Sequence, residues 1–188
     1  MVKAPDTESR LRDELLVVRC QLGERQAFEE LVRIWSGPLL RHVQRVAGAD
    51  MAEDLAQEVW LRALRGIARL RDGARLRSWL FGVAHHVLMD RFRVRYAERE
   101  TLDEVLDEAD PEALESSESL FALLETQLSA LPVVERETLT LFYLEELSLV
   151  QIGEIQAVPI GTVKSRLFRA RGMLRQSMLE GVGDGYRK

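Results

Sequence analysis

Apolar residues recur along this chain at helical spacing and nowhere at the two-residue alternation of an exposed strand, which restricts it to an all-α architecture. In residues 26–46, Phe28, Leu31, Val32, Trp35, Leu39, Val43 and Val46 form one stripe, and Gly37 with Pro38 predicts a kink or break. Asp50 is placed to cap a second helix reaching about Leu70, with Leu55, Val59 and Ala63 inward. Gly73 interrupts the pattern. A third helix is then expected from about Leu76 to Tyr96, with Leu76, Leu80, Val83 and Val87 as its buried face. These elements make a helical bundle.

A second apolar pattern begins at Leu120. Ser129, Ala130, Leu131 and Pro132 open a helix through about Glu146, with Pro132 near its first turn. Ser148 is the expected cap of a short helix to Gln156, Pro159 follows, and a last helix runs from about Gly161 to Leu179. Short helix, tight turn and longer basic helix together form a helix-turn-helix. The expected organisation is a domain in residues 1–96, a flexible acidic linker in 97–118 and a second small helical domain in 119–188.

The net charge of −5 is unevenly spread. Between Glu98 and Glu118 stand ten acids and one base, so the remainder carries +4. Residues 21–95 hold thirteen arginines against nine acids. Overall acidity therefore does not exclude nucleic acid as a partner. The 97–118 stretch, with Pro111 and few apolar positions, is expected to be disordered or weakly helical.

Other classes are disfavoured. No apolar stretch reaches the roughly 18–20 residues needed to span a bilayer. The first residues have no apolar core behind their one lysine, and Cys20 is alone. These features point to the cytoplasm and to no membrane insertion. No nucleophile–base pair, P-loop or dinucleotide fingerprint is present, so neither catalysis nor a cofactor is expected. His86 and Asp90 lie one turn apart and raise a metal-site alternative. The adjacent His85 points about 100° away on a helix and cannot easily share the metal.

The last helix, in PIGTVKSRLFRARGMLR, is the most informative segment. Val163, Leu167, Ala170 and Leu174 form its packing stripe. Ser165, Phe168, Arg169 and Gly172 occupy another face, flanked by Lys164, Arg171 and Arg175. Arginine and lysine can pair with guanine edges or phosphates, and an aromatic can touch a thymine methyl. Free N–H groups near Gly161 and Thr162 suit a phosphate. The alternative is a solvated basic face.

GTVKSRLFRAR after a proline resembles the recognition-helix signature of the extracytoplasmic-function sigma factors of the sigma-70 family. LPVVERETLTLFYLEELSLVQIG resembles the rest of the same promoter-binding domain. GERQAFEELV, AEDLAQEVWLRAL and SWLFGVAHHVLMDRFR resemble region two, in the right order. The resemblance covers about residues 13–95 and 120–178. It implies an alternative sigma factor that binds core RNA polymerase and directs promoter-specific initiation, without chemistry of its own.

The resemblance also assigns roles. Thr162, Lys164, Ser165, Phe168, Arg169 and Arg171 would read the −35 duplex. Arg75, Arg77, Trp79, His86, Arg91 and Arg93, with the loop 69–77, would hold the melted −10 strand, where a tryptophan can stack on an unpaired base. A partly buried packing residue is the alternative reading of Trp79. Asp54, Gln57, Glu58 and Arg62, on one helical face, would meet the coiled coil of the largest polymerase subunit; an ordinary polar bundle face is the alternative. The implied partners are core polymerase, including its flap region, promoter DNA and, as is common in the family, an anti-sigma factor. His86 stands where the family usually has Asn, Ala157 where it has Gly, and Gln151 where it has Glu; an aromatic is missing near Leu76. A stand-alone helix-turn-helix regulator and a pure protein-interaction bundle are the competing readings.

Overall fold

The computed structural model describes residues 7–100 and 126–185, with side chains for 8–95 and 126–179. The expected linker falls almost wholly outside the described residues. Helices α1 (Thr7–Gln21), α2 (Arg25–Ala47), α3 (Ala49–Gly66) and α4 (Leu76–Glu100) form an N-terminal group. Helices α5 (Val133–Tyr143), α6 (Leu149–Ile155) and α7 (Ile160–Gly185) form a C-terminal one. Two single 3-10 turns, Ile67–Arg69 and Gly73–Arg75, join α3 to α4. No strand occurs among the described residues.

The expected stripes supply most of the buried positions of their helices, with Phe28, Val32, Val83 and Leu174 only half-buried. Leu31, Trp35, Leu39, Val43 and Val46 of α2 are buried, as are Leu55, Val59 and Ala63 of α3 and Leu76, Leu80 and Val87 of α4. Two local expectations fail. Pro38 does not break α2, which runs unbroken to Ala47. A proline costs a helix one hydrogen bond and a clash with the preceding turn; here the buried stripe continues on both sides of it. Asp50 is not the cap of α3 but lies in its first turn, where a carboxylate still favours the helix dipole. The cap is Gly48, at φ 88°. Gly73 has a packing reason: a Cβ there would lie 2.8 Å from the Glu14 backbone of α1.

The helix-turn-helix is built from local hydrogen bonds. Ser148 and Gln151 form a reciprocal capping box at the start of α6. At its end, Val158 N–H donates to Gly153 O (2.9 Å) and Ala157 N–H to Glu154 O (3.4 Å), which closes a Schellman turn. Ala157 therefore sits at φ 51°, a left-handed conformation that glycine adopts without penalty. Gly153 has to lack a side chain, because a Cβ there would lie 2.9 Å from Val158 O.

The two groups share one apolar cluster. Leu39, Phe81 and Leu88 from the first and Leu141, Leu147, Ile152, Ile155, Val163 and Leu167 from the second belong to it. A smaller cluster of Leu128, Leu131, Leu139 and Ala170 lies within the C-terminal group. His42 is fully buried in α2, edge-on to Phe81 at 5.0 Å, with neither ring nitrogen hydrogen-bonded.

Two predictions follow from these packed sites. Ala157→Gly should stabilise the protein by about 0.5–1 kcal/mol in urea denaturation, because it relieves the left-handed alanine. Burial lowers the His42 pKa to about 4; Glu137 opposes that shift, while Arg45 and His85 reinforce it. Between pH 6.5 and about 4 the unfolded chain takes up a proton that the folded chain refuses, so stability falls as pH drops through that window. The loss should approach about 3 kcal/mol at the acid end. Denaturation of His42→Leu across the same range should lack that component.

Candidate nucleic-acid and polymerase interfaces

The expected recognition helix, α7, is oriented from its buried side. Val163, Leu167 and Ala170 are buried, and Arg166 points inward, its Nη1 donating to Gln156 Oε1 at 2.8 Å. Lys164, Ser165, Phe168, Arg169 and Arg171 are consequently exposed, and Thr162 is half-buried in the first turn. Phe168 is 76% exposed, an unusual placement for a phenyl ring. Arg169 Nη2 lies 3.0 Å from Glu135 Oε1 of α5. Ser165 Oγ donates to Gly161 O and Arg171 Nε to Leu167 O, which holds both against their own helix. The six expected −35 residues thus share one end of one helix.

The expected −10 residues surround a different surface. A cavity of about 580 Å³ is lined by Trp79, His86, Arg75, Arg62 and Arg71, together with Glu154 and Ile155 of α6. Trp79 is half-buried, its ring so close to Gly66 that a Cβ added there would lie 3.1 Å from it. It is therefore both a packing residue and a wall of the cavity. His86 Nδ1 is 2.7 Å from Gly82 O of its own helix, and Asp90 accepts from Arg62 Nη1 at 2.7 Å. Arg91 and Arg93 are exposed further along α4, outside this cavity. Arg75 is ion-paired with Glu154, and Arg77 Nη2 lies 3.9 Å from Glu145 Oε2.

On α3, Asp54, Gln57 and Glu58 are exposed on one face. Arg62 joins them by donating to Glu58 Oε1 at 2.6 Å as well as to Asp90. Asp90, then Glu58, hold its guanidinium more firmly protonated than usual, and the same contact lowers the Asp90 pKa. Sequence reasoning missed the apolar half of this face: Leu61 and Leu64 are 50% and 53% exposed beside the polar residues. Their departure from the inner stripe was visible in the periodicity.

The contact between the helical groups was also missed. Glu137 of α5 has no exposed surface; Gln156 Nε2 donates to it at 3.0 Å, and His85 Nδ1 of α4 lies 2.8 Å away. Arg136 Nη1 donates to Val46 O in the last turn of α2 at 3.0 Å, and burial lowers its pKa. Burial raises the Glu145 pKa, against the opposing charges of Arg77, Arg45 and Arg41. One sign was available. Glu137 stands in phase with Val133 and Leu141, where an apolar residue belongs.

Two family models match separate parts of the chain. Residues 31–98 match the family model for Sigma-70 region 2, and residues 121–174 match that for Sigma-70, region 4. The RNA polymerase sigma-H factor of Pseudomonas aeruginosa is 28% identical over 174 residues, which cover 85% of this chain and 90% of the relative. The ECF RNA polymerase sigma factor SigM of Bacillus subtilis is 34% identical over 137 residues, 71% of this chain and 83% of the relative. Among solved structures, the sigma factor RpoE in complex with the anti-sigma factor NepR, from Bartonella quintana, superposes with a TM-score of 0.66 at 26% identity, covering 79% of this chain and 94% of that one. With region 2 on the N-terminal helices, region 4 on the C-terminal ones and relatives similar over most of their length, the chain belongs to the extracytoplasmic-function sigma factors of the sigma-70 family.

Proposed function

We propose that this sigma factor binds core RNA polymerase through α3 and reads two promoter elements with separate surfaces, the −35 duplex with α7 and the melted −10 strand with the start of α4. The observation that carries this reading is the exposed set Lys164, Ser165, Phe168 and Arg169 on the second helix of a helix-turn-helix. Such a helix presents donors and an aromatic edge to the major groove while its opposite stripe stays packed. Trp79, half-buried near the start of α4, offers a ring on which an unstacked base can lie, and the surrounding arginines can hold phosphates. Asp54, Gln57, Glu58 and Arg62, with Leu61 and Leu64, make a mixed face of the kind that packs on another helix.

The protein acts by binding and positioning, not by catalysis, and works in the bacterial cytoplasm where polymerase is. The acidic stretch between Glu98 and Glu118 would be repelled by nucleic acid and drawn to basic walls of the polymerase. Promoter elements some 20–25 base pairs apart lie about 70–85 Å from each other. A linker of about 22 residues stretches to about 70 Å, but as a free coil its ends average about 25 Å apart. Polymerase therefore sets the spacing. An anti-sigma factor is a further partner on this reading; the RpoE relative is bound to one.

Run-off transcription with purified bacterial core over a genomic promoter library tests the whole reading. Discrete new transcripts sharing two upstream elements are expected; no transcripts and no core binding would reject it in favour of an independent regulator. Arg169→Ala should cost about 1–3 kcal/mol at promoters with a guanine in the −35 contact. Unchanged promoter selectivity would remove that residue from the reading surface. Gln57→Ala with Glu58→Ala should weaken core binding by roughly tenfold or more, with the thermal unfolding of the free protein unchanged. Normal co-elution with core would place the contact elsewhere.

A further inference from the structure

A second recess contains none of the residues assigned to promoter or polymerase. It is a cavity of about 350 Å³ where the end of α2 and the start of α3 meet residues 128–136. Arg41, Gln44 and Arg45 of α2 line it, together with Gly48 and with Arg136 of α5. No acidic residue lines it, although the chain as a whole carries −5. Among the described residues, none of these three arginines has a carboxylate within ion-pair distance. Glu145 feels the charges of Arg45 and Arg41, but its ion pair is with Arg77.

Arg136 is the member that stability explains least. Its Nη1 donates to Val46 O at 3.0 Å, and its Nη2 to Leu131 O at 2.8 Å and to Ser129 O. All three acceptors are neutral carbonyls, and one Nη1 hydrogen is left over. Its Nε is buried with no acceptor among the described residues, and burial lowers its pKa with no carboxylate opposing the shift. A cation taken out of water is ordinarily met by an anion. Basic side chains near a helix C-terminus favour that helix's dipole, which accounts for Arg45 in the last turn of α2. Arg136 has no such reason, because it stands at the end of the first turn of α5, where a cation opposes the dipole. The start of α3 adds to the same positive field. Gly48 brings no side chain to cap the first N–H groups of that helix. Asp50, in the same turn, is exposed and does not line the cavity.

We propose that this cavity is a binding site for a small ligand that carries at least two phosphoryl groups. Arg41 and Arg45 lie one turn apart on α2 and can hold one phosphoryl group by forked, charge-assisted hydrogen bonds. The second group meets the remaining Nη1 hydrogen of Arg136 and the N–H groups at the start of α3. A single phosphate, with about two negative charges, would leave one of the three cations unmet. The site stands apart from the sigma-factor reading, since none of its residues serves that reading.

Isothermal titration calorimetry of the full chain with inorganic pyrophosphate, without divalent cations, tests the site. One pyrophosphate per chain is expected, bound at least about tenfold more tightly than inorganic phosphate. Arg41→Gln with Arg45→Gln should weaken pyrophosphate at least about tenfold, while the unliganded protein unfolds at no lower temperature. Arg33→Gln with Arg65→Gln removes the same charge from exposed positions outside the cavity and should leave the affinity unchanged. Pyrophosphate should also raise the unfolding temperature of the unaltered chain, and not that of the Arg41→Gln, Arg45→Gln variant. Absence of saturable heat with pyrophosphate would overturn the site. Equal losses in the two double variants would do the same, since they would reduce the effect to general charge attraction. Equal affinity for phosphate and pyrophosphate would overturn the ligand class.

Discussion

A carboxylate with no exposed surface organises the junction of the two helical groups. Glu137 is one turn into α5, and an unpartnered charge there would cost several kcal/mol. It is instead met from two directions, by His85 of α4 and by Gln156 at the end of α6. Gln156 is in turn fixed by Thr138 and by Arg166, so the network reaches the recognition helix. With Arg166 drawn inward, positions 164, 165, 168 and 169 have to face out. The outward face of α7 is thus set by an inward ion network as much as by its apolar stripe.

Much of this was legible in the sequence because helical burial leaves a periodic trace. The stripes on α2, α3, α4 and α7 could be read residue by residue, and so could the short helix beginning after Ser148. Pro38 misled because a local rule was applied where tertiary packing on both sides outweighs one lost hydrogen bond. Asp50 misled because α3 starts at Ala49 with Gly48 as its cap, so Asp50 already lies inside the first turn. The contact between the helical groups was illegible for a different reason. His85, Glu137 and Gln156 are far apart in sequence, and no periodicity links them. Only the misplaced charge at position 137 hinted that another polar group had to meet it.

Residues that depart from the family pattern have local physical roles. Gln151 completes the Ser148 capping box by accepting from the Ser148 N–H at 2.9 Å, as a glutamate would. Ala157 keeps the Schellman turn at the cost of a left-handed φ. The tight approach in that turn is made at Gly153, under Val158 O, and not at position 157. His86 turns its Nδ1 to its own helix at Gly82, which leaves Nε2 as the ring nitrogen available towards the cavity beside Trp79. A −10 base meeting it would find one imidazole nitrogen where asparagine offers both a carbonyl and an amide.

Three arginines assigned to DNA each lie against a carboxylate of the C-terminal group: Arg169 with Glu135, Arg77 with Glu145 and Arg75 with Glu154. Of these only Arg75–Glu154 is exposed on both sides, and such a pair contributes only about 0–1 kcal/mol, a poor explanation of stability. Their effect on binding is larger. A phosphate approaching any of these arginines has first to displace a carboxylate, and a single weak phosphate contact gains little by the exchange. A promoter held by polymerase offers many phosphates together, and release of their counterions can pay for every exchange at once. On the proposed reading of these arginines, the same carboxylates that lower the net charge would make stray nucleic acid a weak competitor, while a promoter aligned on polymerase would remain a strong one.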